Sequence, residues 1–363
     1  MRRTVVPPYL LVRIARLDDP AFARAARAAS RSLQQDEPFR RVRPGEPAPG
    51  PTPGRGAPGP TATATPSPRQ RVQALQRTIS DARTTETLPG EVVRREGTAA
   101  TGDPAVDEAY DGLGAMFAFL QEAYGRDSID DAWLPLDATV HYGDDYDNAF
   151  WDGSRMVFGD GDGQVFRRFT VSPSVIGHEL AHGITEYTAN LVYRGQSGAL
   201  NESISDVFGA LLEQFGAGQN AEEATWLIGE GLFTDEVEGA ALRSMIAPGT
   251  AYDDDVLGTD PQPGSMADYV DTEDDNGGVH INSGIPNRAF AVAATTLGGR
   301  AWERAGQVWY DVLTGGVLTA TADFPAFAEL TVRAAAARFG AGSDVERAVR
   351  TGWSTVGVEL PAA

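Results

Sequence analysis

Nine of the chain's 23 prolines fall between residues 44 and 68, interleaved with Gly, Thr and Ala. A stretch of that make-up cannot build a core and reads as an exposed, stiffened linker. It divides the 363 residues into a short head, residues 1–43, and a long body. Exposed linkers of this kind are readily cut by proteases.

Charge follows the same division. The chain has a formal net charge of −21, with 30 basic and 51 acidic residues, and every basic residue is Arg. The head holds 10 Arg and 4 acids, a net of +6, which leaves −21 − 6 = −27 on the rest. An acidic body repels nucleic acid and anionic membrane, so neither is expected as a partner. A basic head can dock onto such a body, or can simply trail as a basic tail. No apolar run is long enough to span a bilayer. Pro7-Pro8 interrupts the apolar run at Val5–Val12, and Arg13 and Arg16 follow at once. This is a poor export signal, so the chain is expected in the cytoplasm as synthesised, with leaderless export as the alternative.

The head opens with Pro7-Pro8, expected to be extended, and continues with an Ala/Arg-rich helical stretch over residues 17–33. From about residue 71 to 170, short β-like runs such as 138–141 and 155–158 alternate with Gly/Asp turns. Asp103-Pro104 starts one helix there, and Val106, Tyr110, Leu113, Phe117 and Leu120 recur at helical spacing. From Pro173 onward helices dominate, over 174–187, 202–215, 287–296, 302–313, 324–339 and 343–356. Ser174 is read as belonging to the N-cap region of the first of these.

The chain contains no Cys, so disulfides, thiolate metal sites and a Cys nucleophile are excluded. Any metal must rest on carboxylates and the four His, which are His141, His178, His182 and His280. In His178-Glu179-Leu180-Ala181-His182 the two imidazoles stand at i and i+4 and share one helix face. Both can point at one ion, while Glu179 reaches a water held there. This is the arrangement of zinc proteases.

A catalytic zinc needs a third protein ligand and an open position. Twenty residues past His182 stands Gly198-Ala199-Leu200-Asn201-Glu202-Ser203-Ile204-Ser205-Asp206, and this stretch resembles the thermolysin family of zinc neutral metalloproteases. The resemblance implies that Glu202 is the third ligand, with Asp206 supporting His178 and Asn201 supporting His182. In Asp275-Asn276-Gly277-Gly278-Val279-His280 it implies that His280 donates to the oxyanion and Asp275 orients it. Tyr193 matches a second oxyanion donor, and Arg243 the residue that holds a substrate carbonyl. Asn148 and Ala149 match the edge that pairs with substrate backbone. An apolar pocket for the residue after the scissile bond maps to Phe166, Phe169, Val175, Ile228, Leu232 and Leu242.

The resemblance covers roughly residues 88–358. It implies an α+β fold in two lobes, β-rich over 69–170 and helical over 171–363, with the cleft between them. It also implies one zinc ion, protein or peptide substrates, and cleavage on the amino side of bulky hydrophobic residues. A monomer is expected. The calcium positions depart from the family. Glu213 and Glu230 remain, but Ser174, Thr225 and Leu227 stand where other acids would be, and Ala240 replaces an Asp. Calcium wants six to eight oxygens, so with these ligands partly missing Ca2+ stays open and the family's calcium dependence is not carried over. The head, with Val6-Pro7-Pro8-Tyr9-Leu10-Leu11, resembles the short propeptide of the family's protealysin branch. Residues 1–68 are accordingly expected to be a removable propeptide, lying extended like a substrate through Pro7–Leu11. Two other classes stay open: a non-catalytic peptide-capturing protein, and a zinc peptidase confined to short peptides.

Overall fold

The computed structural model describes residues 3–40 and 74–360. The Pro-rich stretch at 44–68 lies outside them. Strands β1 (Arg3–Thr4), β2 (Arg77–Asp81), β3 (Glu91–Arg95), β4 (Leu136–Val140), β5 (Ala149–Trp151) and β6 (Met156–Phe158) form one sheet in the order β1-β5-β6-β4-β2-β3. β2 and β6 run parallel to β4, and the other neighbours are antiparallel. The head therefore completes the body's sheet, since β1 covers the outer edge of β5.

The head also supplies α1 (Pro8–Ala15) and α2 (Ala23–Arg40). This corrects the extended reading of Pro7–Leu11. Pro8 is the first residue of α1, a position where its fixed φ suits the helix and its missing N–H is not needed. Pro7 before it is extended at φ −64° and ψ 143°, whereas the chain bends at Val5 and Val6. α2 begins later than residue 17 because Asp19 accepts from Ala21 N–H and caps a separate turn over Pro20–Phe22.

α3 (Pro104–Tyr124) starts where expected. Asp103 accepts from the Ala105 and Val106 amides, and Gly125 closes the helix in the left-handed conformation at φ 66°. The C-terminal lobe is built from α4 (Pro173–Glu186), α5 (Gly195–Ala217), α6 (Asp275–Asn282), α7 (Gly284–Leu297), α8 (Ala305–Thr314), α9 (Phe324–Phe339) and α10 (Asp344–Thr355). α5 begins seven residues before the expected Glu202. Ser197 Oγ bonds back to the Val192 and Arg194 carbonyls and secures that first turn. Among the described residues, no helix is long and apolar enough to cross a membrane.

The pairing of α4 with α5 positions the site. A Cβ on Gly177 would lie 2.9 Å from Gly209 Cα, and one on Gly209 would lie 2.4 Å from the Ser174 carbonyl oxygen. The two backbones approach so closely that neither position accepts a side chain. One contiguous apolar cluster runs through both lobes and takes in Val5, Val6, Leu10, Leu11 and Ile14 of the head.

Candidate active site

His178, Glu179 and His182 lie on α4, and Glu202 and Asp206 on α5; all five are buried. The close helix pairing turns these faces toward each other. His178 Nδ1 meets Asp206 Oδ1 at 2.7 Å, and His182 Nδ1 meets Asn201 Oδ1 at 2.9 Å. Ser205 Oγ also lies 2.9 Å from His182 Nδ1. With Nδ1 of each ring engaged in this way, Nε2 is the atom left to face the site. His178 Nε2 stands 3.4 Å from Glu202 Oε2, and His182 Nε2 stands 3.4 Å from Glu202 Oε1. Neither His178 Nε2 nor Glu202 Oε2 has a hydrogen-bond partner among the described residues. Two imidazole nitrogens and a carboxylate converging in a dry pocket suit a zinc ion, whose usual ligands these are.

Donor atoms of His178, Glu179 and His182 also lie within 4.8 Å of one another. Glu179 differs from Glu202 in its other contact. Its Oε2 accepts from the Trp151 N–H at 3.0 Å, so it is tied to β5.

Behind the histidines, Asp206 is shared by three residues, His178, Arg243 and Asn287. Arg243 donates from Nε to Oδ2 at 2.9 Å and from Nη2 to Oδ1 at 2.8 Å. Asn287 Nδ2 donates to Oδ2 at 2.8 Å. Burial opposes ionisation of Asp206, but Arg243 and His178 hold its carboxyl well below the usual range.

His280 stands across the site. The backbone before it is left-handed at Asn276, Gly277 and Gly278, and this winding folds Asp275 back onto His280. Asp275 Oδ1 takes Nδ1 at 2.6 Å and Oδ2 accepts the His280 N–H at 2.8 Å. Burial alone would lower His280, but the carboxylates of Asp275 and Glu202 raise it to about 9. Its Nε2 lies 3.0 Å from the Thr4 carbonyl and 3.2 Å from the Tyr193 hydroxyl. Tyr193 donates its hydroxyl hydrogen to Glu202 Oε1.

Ala149 opens β5 with Asn148 just before it, and the head sits on them. Val5 N–H donates to Ala149 O at 3.3 Å and Val6 N–H to Asn148 Oδ1 at 3.0 Å. Arg243 Nη1 donates to the Val5 carbonyl at 2.9 Å. Phe166, Phe169, Val175, Ile228, Leu232 and Leu242 are all fully or almost fully buried and belong to the same apolar cluster as Val5. Ser174 is not the cap of α4. It lies in the first turn, and its Oγ accepts from Gly229 N–H at 3.1 Å.

Sequence reasoning missed several groups. Asp36 on α2 is buried and accepts from Tyr146 OH at 2.7 Å and from Asn148 Nδ2 at 3.1 Å. Gln262 Nε2 donates to the His280 carbonyl at 2.7 Å. Neither residue stands in a motif. Ser205 does, being part of the stretch that carries Glu202 and Asp206, and it was the one within reach.

A nitrogen–oxygen donor set with a further carboxylate beside it is what metal-dependent peptide hydrolysis requires, and the class so defined is that of the metallopeptidases. The chain belongs to the thermolysin family: residues 66–186 match the thermolysin metallopeptidase catalytic domain, and residues 189–358 match its alpha-helical domain. It is similar to the "Extracellular metalloprotease" of Pectobacterium carotovorum subsp. carotovorum, with 54% identity over 81% of this chain and 85% of that one. It is also similar to "Protease PrtS" of Photorhabdus sp. (strain Az29), at 51% identity over 79% and 77%. Among solved structures it matches the precursor of protealysin, a metalloproteinase from Serratia proteamaculans. The TM-score is 0.85, with 48% identity over 98% of this chain and 100% of that one.

The chain is thus a metalloendopeptidase of that family, with the family's two-lobed fold preceded by a short N-terminal segment. The relatives overturn one expectation. A cytoplasmic location does not stand against a relative at 54% identity named as an extracellular enzyme. The charge pattern of an N-terminus carries little information about routes that do not read it.

Proposed function

We propose that the protein is a zymogen of a zinc endopeptidase that cuts on the amino side of bulky hydrophobic residues and acts outside the cell. Residues 1–68 are its propeptide. The observation that carries the reading is the meeting of His178 Nε2 and His182 Nε2 with the Glu202 carboxylate, each at 3.4 Å, directly beside an extended segment of the chain's own head.

His178, His182 and Glu202 hold the ion. Glu202 is the ligand and Glu179 the base, because Glu202 faces both Nε2 atoms whereas Glu179 is tied to the Trp151 amide on the strand where substrate lies. When bound, zinc supplies Lewis acidity toward a carbonyl and lowers the pKa of water. Glu179 takes a proton from the attacking water and passes it to the leaving amine. His280, held by Asp275, donates to the oxygen that gains charge, and Tyr193 turns from Glu202 toward that same oxygen. Asp206 and Asn201 fix the two imidazoles so that Nε2 faces the ion. Asn148, Ala149 and Arg243 hold the substrate backbone extended, a mode that reads few side chains. Phe166, Phe169, Val175, Ile228, Leu232 and Leu242 receive an apolar side chain, since a charge placed there is uncompensated.

The head blocks the site in two ways. β1 occupies the edge of β5, and Asp36 holds the Asn148 amide. Arg24 and Arg31 also pair with Asp145 on the body. Exposed pairs of that kind contribute little, so burial of Val5, Val6, Leu10, Leu11 and Ile14 dominates the docking.

The test uses the Glu179→Gln chain, which cannot process itself, treated with a trace of wild-type enzyme. The reading expects a shortened chain that begins between Ser67 and Thr85. It also expects the wild-type chain to cut casein only after that conversion. A precursor as active on casein as the shortened form, with no cleavage in that window, overturns it.

A further inference from the structure

The head does more than cover the cleft, because the hydrogen bonds fix which of its peptide bonds lies at the reacting position. β1 runs antiparallel to β5, with Arg3 opposite Trp151 and Thr4 opposite Phe150. Beyond it the chain bends at Val5 and Val6 before α1 begins at Pro8. The Thr4 carbonyl oxygen lies 3.0 Å from His280 Nε2. That same nitrogen is 3.5 Å from Glu202 Oε2 and 3.2 Å from the Tyr193 hydroxyl. The Thr4 carbonyl is therefore the one set among the metal-site and oxyanion groups.

The next carbonyl, that of Val5, points away to Arg243 Nη1 at 2.9 Å. The nitrogen between the two carbonyls, Val5 N, donates to Ala149 O at 3.3 Å. Val6 is clasped by Asn148, whose Oδ1 accepts its N–H at 3.0 Å and whose Nδ2 donates to its carbonyl at 3.4 Å. The Val5 side chain is fully buried in the cluster that holds Phe169, Val175 and Leu242. A substrate with a β-branched apolar residue after the scissile bond would make these same contacts.

We propose that Thr4–Val5 is a cleavage site for the chain's own active site, and that cutting it leaves the cleft blocked. The proposal rests on the reading of the site given above. In the step, one water is consumed. Its oxygen adds to the Thr4 carbonyl carbon and the Thr4–Val5 C–N bond breaks. Glu179 carries one of the water's protons to Val5 N and the second passes from the new carboxyl to the same nitrogen, so that Thr4 ends as a carboxylate and Val5 as an ammonium group.

Of the part that leaves, the described residues Arg3 and Thr4 are paired with β5 through the two-residue strand. The described head residues that stay are anchored at several points. Val5 and Val6 are buried, α1 follows directly with Leu10, Leu11 and Ile14 in the core, and Asp36 still holds Asn148. A new Val5 amine sits against Ala149 O as the product of its own cut. Trimming in cis is thereby separated from activation, which requires loss of α1 and α2.

The experiment purifies the full wild-type chain and its Glu179→Gln form in chelator, adds zinc, and follows intact mass and N-terminal sequence at two protein concentrations. The wild-type chain is expected to acquire Val5 as its first residue, at a rate independent of concentration, before casein hydrolysis rises. The Glu179→Gln chain is expected to stay uncut. Hydrogen exchange on the metal-free Glu179→Gln chain gives a readout independent of turnover. The Val5 and Val6 amides are expected to be protected, and Val5→Asp is expected to abolish that protection while α2 keeps its own. Val5→Leu is expected to preserve both protection and trimming.

A wild-type chain that cuts casein while its residues before Val5 stay attached overturns this proposal and leaves the function intact. So does trimming at another bond, or exchange at Val5 and Val6 as fast as in Val5→Asp. No casein hydrolysis by any form of the chain removes both.

Discussion

Arg243 grips Asp206 through two nitrogens, at 2.9 Å and 2.8 Å, with both side chains fully buried. Asp206 in turn holds His178 Nδ1 at 2.7 Å. A residue on a short strand, β7 (Arg243–Ser244), is thus joined through one carboxylate to the imidazole whose Nε2 faces Glu202. Removing one partner of a buried pair leaves the other charge uncompensated, which costs roughly 3–5 kcal/mol. Arg243→Met in the Glu179→Gln background is expected to fall near the low end of that range, because His178 and Asn287 still contact Asp206. Urea unfolding measures it, and a loss below about 1 kcal/mol would contradict the assignment.

Glu179→Gln is expected to keep the fold and bind one zinc per chain, since His178, His182 and Glu202 remain. It should lose casein hydrolysis by roughly 10²–10⁴-fold or more, the range for a general base. Metal analysis and a casein assay on the same sample separate the two effects. Loss of zinc together with activity would make Glu179 a ligand instead.

Cuts by the processed enzyme are expected mostly before Leu, Phe, Ile or Val. Mass spectrometry of an unfolded protein digest shows this directly. A majority of cuts before Lys, Asp or Glu would mean that Phe166, Phe169, Val175, Ile228, Leu232 and Leu242 do not receive the substrate side chain.

Calcium is expected to matter little. Where acids are missing, the chain bonds to itself: Thr225 Oγ1 donates to Glu230 Oε2 at 3.0 Å, and Ser174 Oγ accepts from Gly229. Burial raises the Glu213 carboxyl, and nearby Glu230 adds to the shift. Both effects disfavour the charge that calcium needs. A calcium-selective chelator should leave the melting temperature nearly unchanged while zinc stays bound. A large drop reversed by calcium would show that other oxygens complete a site.

His141 predicts a pH dependence away from the reacting groups. Its Nδ1 lies 2.8 Å from Asp160 Oδ2, and its Nε2 lies 3.0 Å from Asp103 Oδ2 at the start of α3. Arg168 lies near both acids. The bond to Asp160, against an opposing loss from burial, raises His141 from 6.5 to about 9. A folded pKa above the unfolded one gives stability that is complete below about 6.5 and lost as pH rises through about 9. In the Glu179→Gln background, the melting temperature gap between His141 and His141→Gln should be widest near pH 6 and nearly closed by about pH 10. A constant gap would mean that His141 acts only through packing.

Much of the site was legible because it is local. His178 and His182 meet on one helix turn, and Glu202 and Asp206 stand four apart on another, so spacing alone places each pair on a common face. The Pro-rich break and the opposed charges of head and body could also be read without coordinates. Composition could not say what the head does with its apolar residues. Pro7-Pro8 suggested extension, yet Pro8 opens α1, because proline is as well suited to the first turn of a helix as to a strand.

Tertiary structure alone decided which residues meet across the chain. Asn148 finds Val6 at a separation of 142 residues and Asp36 at 112, and Arg243 finds Val5 at 238. Such pairs leave no periodic trace, since they depend on how far the α4–α5 contact and the outer edge of β5 draw distant segments together. The motifs that single out His178, Glu179, His182, Glu202 and His280 were written in the sequence. The bond they are set against, Thr4–Val5, is chosen by the register of two strands, and register exists only after the sheet has formed.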